Sequence, residues 1–234
     1  MLNRRNLLKT AVGVAAACAG AARAADAAPS QSQVKSSASG KTPLNVLLFE
    51  GFETIDAMGP VEMLAYADVY DIRFYGLEAG VVKSAQGVPV AVDSVANADP
   101  KGLLLLPGAA PAWLKLPPVF FERVKALAER APWVLTVCTG SVLLGRTRLL
   151  DGRKATTKKN AIPMALKTLP AVAWQKSARW CVDEKFYTSS GITAGMDMAL
   201  GFIADRFGVE KAEAIAKYTE YVRSADPTND PFAR

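Results

Sequence analysis

Residues 132–145 read PWVLTVCTGSVLLG. The first half is a continuous apolar run, the pattern of a strand buried on both faces of a parallel sheet. The second half carries apolar residues at helical spacing. Between the two stand Cys138, Thr139, Gly140 and Ser141, small enough for a sharp strand-to-helix turn. The pattern predicts a strand over 133–137, a cysteine elbow at 138 and a helix over 141–149. Two runs of the same kind are LNVLLFE (44–50) and KGLLLLPG (101–108), and helical patterns cover 58–67, 120–130, 161–169 and 196–207. VVKSAQGVPVAV (81–92) reads as a hairpin bent at Gln86-Gly87, and WCVDEKFYTSS (180–190) is strand-like. Buried strands alternating with helices predict an α/β three-layer sandwich with a mostly parallel central sheet.

The chain has 234 residues, half of them apolar, enough for one globular domain and an appendage. Its net charge of +6 is uneven: four of its 28 cations and none of its 22 acids lie in the first 24 residues. The remainder balances 24 cations against 22 acids, a net +2. An excess so small points to neither nucleic acid nor a membrane surface as partner. The cationic start, NRRNLLKT, has the form of a twin-arginine signal, and the apolar run from Ala11 to Ala22 is too short to span a bilayer. Ala22-Arg23-Ala24 offers a small-x-small cleavage site. Residues 1–24 are therefore expected to be an export signal, and the expected location is a bacterial periplasm, with no stable membrane insertion. Residues 25–43, rich in Ala, Ser and Gln, are expected to be a flexible linker. The domain is expected over 44–234, with no DNA-binding helix pair after it. Its tail, RSADPTNDPFAR, is polar and broken by proline, and is expected to lie over the surface.

Ligands of open parallel sheets bind beyond the carboxyl ends of the strands. Three such ends carry unusual residues: FEGFETIDAMGP (49–60), PGAAPAW (107–113) and the cysteine turn. All three are expected to open on one edge of the sheet. The amides of Gly108 and Ala109, in a tight turn, are candidate oxyanion or substrate donors. A helix start is expected to stabilise a Cys138 thiolate, and bringing its pKa from about 8.5 to about 6 is worth about 3.4 kcal/mol. Cys181 reads as structural, and the spacing of the two cysteines leaves open whether they pair. The chain has no histidine and no CxxC spacing, so no metal or cofactor is expected.

Several motifs, in order along the chain, resemble the ThiJ/PfpI superfamily, which shares the class I glutamine-amidotransferase-like, flavodoxin-like fold. TVCTGSVLLGRTRLLDGRKATT (136–157) is similar to its cysteine elbow and following strand, and FETIDAMGPVEML (52–64) to its acid motif. GITAGMDMALGFIADRFG (191–208) is similar to its late glycine-to-helix motif, and EYVRSADPTNDPF (220–232) to a loosened C-terminal segment. Within the superfamily these stretches most resemble the isonitrile hydratase group. The resemblance implies an acid at Asp56, a nucleophile at Cys138, an assisting hydroxyl at Thr139 and a homodimer. Glu50 and Glu53 are then surface carboxylates, and Asp197 caps or orders a helix. Two departures stand out. Thr156-Thr157-Lys158-Lys159 lies where relatives commonly carry a histidine, and Pro107-Gly108-Ala109 replaces Pro-Gly-Gly.

Expelling an amine needs a general acid, normally histidine. Its absence disfavours protease, amidotransferase and histidine-assisted glyoxalase chemistry. Addition to an isonitrile demands less: a thiolate adds to the terminal carbon while Asp56 supplies a proton. Water held by Asp56 and Thr139 then releases an N-substituted formamide from the thioimidate. The expected function is such a hydro-lyase acting on a small molecule. The alternative, from a different class, is a non-catalytic ligand-binding or thiol-redox module on the same fold.

Overall fold

The computed structural model describes residues 40–110 and 116–233. The expected signal, all but the end of the expected linker, and Pro111 to Trp113 of the PGAAPAW turn lie outside the described residues. The first strand, β1 (Thr42–Leu47), begins two residues ahead of the expected domain start. The centre of the sheet is built from β1, β5 (Leu103–Leu106), β6 (Val134–Val137) and β10 (Phe186–Ser189). All of the last three, and β1 from Leu44 onward, are buried. Their apolar runs are continuous because helices cover both faces.

Four more strands complete the sheet: β2 (Tyr70–Gly76), β3 (Gly80–Lys83), β4 (Pro89–Ser94) and β9 (Trp180–Asp183). The order is β3-β4-β2-β1-β5-β6-β10-β9. Among the described residues only the two edge strands run antiparallel to their neighbours, in the hairpins β3–β4 and β9–β10. The first hairpin turns at Gly87, whose φ of +81° suits glycine. A separate parallel pair, β7 (Lys154–Ala155) and β8 (Ala173–Trp174), stands apart from this sheet.

The described residues form six α-helices: α1 (Thr54–Ala65), α2 (Pro118–Arg130), α3 (Gly140–Gly145), α4 (Ile162–Thr168), α5 (Ala194–Phe207) and α6 (Val209–Tyr218). α5 packs on α1 and α6, and α2 packs on α3, giving the three-layer α/β fold. α3 ends at Gly145, four residues short of the expected helix end, and a series of turns carries the chain on to β7.

The tail lies over the surface, as expected, with most of residues 222–233 exposed, but it is anchored through buried charges. Asp197, in the first turn of α5, pairs with Arg179 at 2.7 Å, and both are buried. The other oxygen of Asp197 accepts from the Tyr221 hydroxyl (3.1 Å) and the Ser224 amide (2.9 Å). Asp230, also buried, lies 3.8 Å from Arg179 and 3.6 Å from Lys159. Charges buried this way require one another, since removing one strands its partner at a cost of about 3–5 kcal/mol. Asp197 thus orders the tail instead of capping a helix.

Candidate active site

β1, β5 and β6 are adjacent and parallel, so their carboxyl ends meet on one edge, as expected. Phe52 bridges to Ala109, and the Glu53 amide donates to the Gly108 carbonyl at 2.9 Å. Two glycines let the strand ends close up. A Cβ on Gly108 would stand 2.5 Å from Thr139 Oγ1, and one on Gly140 would stand 2.4 Å from the Leu106 carbonyl. No side chain fits at either position.

Cys138 follows β6 directly and takes a left-handed conformation, φ +58°. A non-glycine residue held there costs about 1–2 kcal/mol. The surroundings fix it: its amide donates to the Ser189 and Ser190 carbonyls. Its carbonyl accepts from Thr157 Oγ1 (2.8 Å) and Ser141 Oγ (3.0 Å). The side chain is turned inward beneath Gly191, and only 3% of the residue is exposed. A Cβ on Gly191 would lie 2.8 Å from Sγ and 3.2 Å from the Lys158 Cβ.

Asp56, in the first turn of α1, is wholly buried and lies close enough to Cys138 for each side chain to shift the ionisation of the other. Its Oδ2 accepts from the Gly108 amide at 3.1 Å, while Oδ1 is buried with no partner in hydrogen-bond geometry. Burial is the main cause pushing the carboxyl up to about 7, opposed by the Gly108 amide and the Cys138 thiol. The charge of Glu53 adds to the rise, and that of Lys158 opposes it.

The resting thiolate expected from the sequence does not follow from this environment. Burial, and then the adjacent Asp56 charge, push the Cys138 thiol well above its ordinary value. The Thr139 amide and Lys158 only partly offset them. α3 is six residues long, too short for its N-terminus to overcome desolvation. Both groups are raised, so burial opposes ionisation of the carboxyl and of the thiol alike.

The expected donor turn is also occupied. The Gly108 amide serves Asp56, and the Ala109 amide donates to Thr139 Oγ1 at 2.9 Å. Thr139 Oγ1 in turn donates to the Ala109 carbonyl at 2.7 Å. Ala109 is absent from the positive-φ residues, so replacing glycine leaves no left-handed strain there. The Gly108 and Ala109 amides are thus both engaged within the protein, and the Thr139 hydroxyl holds the turn. Glu50 is exposed and accepts from the Lys83 amide, and Glu53 accepts from Gln86 Nε2. Cys181 is a half-buried free thiol, pushed up to about 11 by burial, and Cys138 is likewise unpaired. Among the described residues no group of three or more Cys, Asp or Glu converges on a metal-sized site.

Two neighbours of the sulfur were not assigned from sequence. Gly191 sits inside the quoted glycine-to-helix motif, but nothing in the string says that its bare Cα faces Cys138. Lys158 stands out in sequence only as a departure, yet it lies close enough for its charge to act on both Asp56 and Cys138. Gly191 and Lys158 also line a groove of about 800 Å³ that opens beside the pair.

Residues 44–205 match the DJ-1/PfpI family. The chain is 29% identical to the isonitrile hydratase of Pseudomonas putida over 180 residues, covering 76% of this chain and 78% of that enzyme. It is 28% identical over 177 residues to the HTH-type transcriptional regulator CdhR of Pseudomonas aeruginosa, covering 73% of this chain and 52% of the regulator. The fold superposes on that of a ThiJ/PfpI family protein from Pseudomonas syringae with a TM-score of 0.71 and 24% identity, over 88% of this chain and 85% of the other. With the match spanning most of the sheet and both candidate site residues, the chain belongs to the DJ-1/PfpI family.

Proposed function

We propose that the protein is an isonitrile-hydratase-like enzyme whose working group is the Asp56–Cys138 pair. The observation that carries this reading is a buried carboxyl, raised to about 7 and with one oxygen unpartnered, against a buried thiol in a chain without histidine. A carboxyl with that pKa is matched to proton transfer in both directions at neutral pH. In the first step Asp56, as carboxylate, takes the thiol proton while Sγ bonds the terminal isonitrile carbon. The proton then passes to that same carbon. The net change is addition of S–H to R–N≡C, giving the thioimidate R–N=CH–S–Cys138. In the second step water adds to this carbon, Asp56 accepting its proton and the nitrogen gaining one. The adduct R–NH–CH(OH)–S–Cys138 expels sulfur, which recovers a proton through Asp56, and R–NH–CHO departs.

A thiol of raised pKa is a poor leaving group as an anion, so return of the proton by Asp56 is required. No oxyanion forms along this path, and occupied Gly108 and Ala109 amides are therefore no obstacle. The isonitrile group is linear and slim, which suits passage beside the bare Cα of Gly191. Thr139 contributes by holding the 107–109 turn, and through it the Gly108 amide against Asp56. The test is purified protein with a panel of alkyl isonitriles. Formamide from wild type but not from Cys138→Ala is expected. No formamide from any of them, with Cys138 shown free and reduced, overturns the reading.

A second reading, a ligand-binding module, is favoured by the position of the groove, whose lining includes Gly191 but not the sulfur beneath it. In that case small molecules bind the groove of Cys138→Ala and wild type equally and nothing is turned over. We also propose that the Arg4-Arg5 leader exports the protein to the periplasm. Accumulation in the periplasm of a host lacking twin-arginine transport contradicts this.

A further inference from the structure

The groove beside the active pair is lined by three lysines, Lys158, Lys159 and Lys176, and by no acid. The rest of its lining is largely apolar, with Ile162, Ile192 and Phe232 among the contributors. The three cations are not equivalent. Lys159 is matched within the protein: its Nζ lies 3.6 Å from buried Asp230 and bonds Thr156 Oγ1 and the Ala178 carbonyl. Lys158 is half-buried and Lys176 exposed. Among the described residues neither has a carboxylate within ion-pair distance.

We propose that the groove selects a substrate carrying a carboxylate a few bonds from its reactive group, with Lys158 and Lys176 as counter-charges and the apolar lining holding the carbon skeleton. This names the substrate class of the hydratase reading and rests on it for the location of the reacting end. A groove of about 800 Å³ has room for a small amphiphilic molecule of this kind. Two lysines on its lining with, among the described residues, no carboxylate in ion-pair distance favour an anion over its neutral isostere by about tenfold, the scale for two exposed charge pairs at about threefold each.

The test separates binding from turnover. N-Formylglycine, an anionic formamide of the product type, and neutral N-formylglycinamide are titrated calorimetrically into the full chain. The anion is expected to bind about tenfold more tightly, with a preference that shrinks as salt is added. The preference is expected to vanish in the Lys158→Met/Lys176→Met double variant. Equal affinities, binding of neither compound, or a preference that survives in the double variant overturns the proposal. Should the double variant misfold, Lys176→Met alone, at an exposed position, carries the test through a reduced preference. Turnover of neutral alkyl isonitriles without anion preference sinks this inference and leaves the hydratase reading standing. Anion preference without turnover of any isonitrile does the reverse.

Discussion

Replacing Asp56 with asparagine is expected to make the protein more stable and, at the same time, inactive. The carboxyl is wholly buried, and desolvation raises it from 3.8 to about 7 in the folded chain. Its folded value lies above its unfolded value. Its contribution is therefore whole below pH 3.8 and is lost as pH rises toward 7, because the unfolded chain releases a proton that the fold retains. Integrated over that interval, the loss is about 2 kcal/mol at pH 5 and about 4 kcal/mol at pH 7 and above. The substituted asparagine never ionises and escapes this penalty, while its amide oxygen can still accept from the Gly108 amide. Urea denaturation of both proteins from pH 4 to pH 8 measures the difference directly. The advantage of Asp56→Asn should be small at pH 4, grow by about 1.4 kcal/mol per pH unit and level off near pH 7. A difference that is flat across this range would show that Asp56 ionises as freely folded as unfolded, and the proton-shuttle reasoning fails with it.

Neighbouring residues carry consequences of their own. Gly191→Ala places a Cβ 2.8 Å from Sγ, so formamide production should fall at least about tenfold with little change in circular dichroism, the clash acting on the approach to sulfur. Gly108→Ala drives a methyl into Thr139 Oγ1 at 2.5 Å and should cost about 1–3 kcal/mol in denaturant unfolding. Arg179→Met leaves Asp197 without its cation and Asp230 with Lys159 alone. A loss of about 3–5 kcal/mol is expected, with early proteolytic cleavage in the 219–233 segment as its local signature. Cys138, buried and held as a thiol, should stay reduced at peroxide levels that oxidise free cysteine, as read by intact mass. Ready oxidation would favour a redox role.

The centre of the sheet was legible because strands covered on both faces are written in uninterrupted apolar residues: LLLL of β5 and VLTV of β6 admit little else. β2 was missed because YDIRFYG is half-exposed and mixes charge with aromatics. α6 was missed because VEKAEAIAKY buries only small or single apolar residues, Ala212, Ile215 and Ala216. The strand-like 180–190 segment is two strands, turned at Glu184 in a left-handed conformation that no glycine advertises. At the site, the strand pattern placed FEGFETIDAMGP and Cys138 on one sheet edge, and the family resemblance singled out Asp56. They did not reveal the burial that opposes the expected ionisation of Cys138, nor the bonds that occupy the Gly108 and Ala109 amides. Those bonds join residues 52 and 30 positions apart in the chain, and the burial comes from packing just as distant in sequence. The tail's place on the surface was legible from its polar, proline-broken composition, but its anchoring was not, because Arg179 and Asp197 lie far from Asp230 in sequence.

The pH profile of formamide production by the wild-type protein tests most directly whether a neutral thiol works through a shuttling carboxyl. One rise governed by a group near pH 7, absent in Asp56→Asn, with no further rise at alkaline pH, is the expected result. A rate that climbs with thiolate formation through the pH range of a free cysteine, and does so equally in Asp56→Asn, would contradict it.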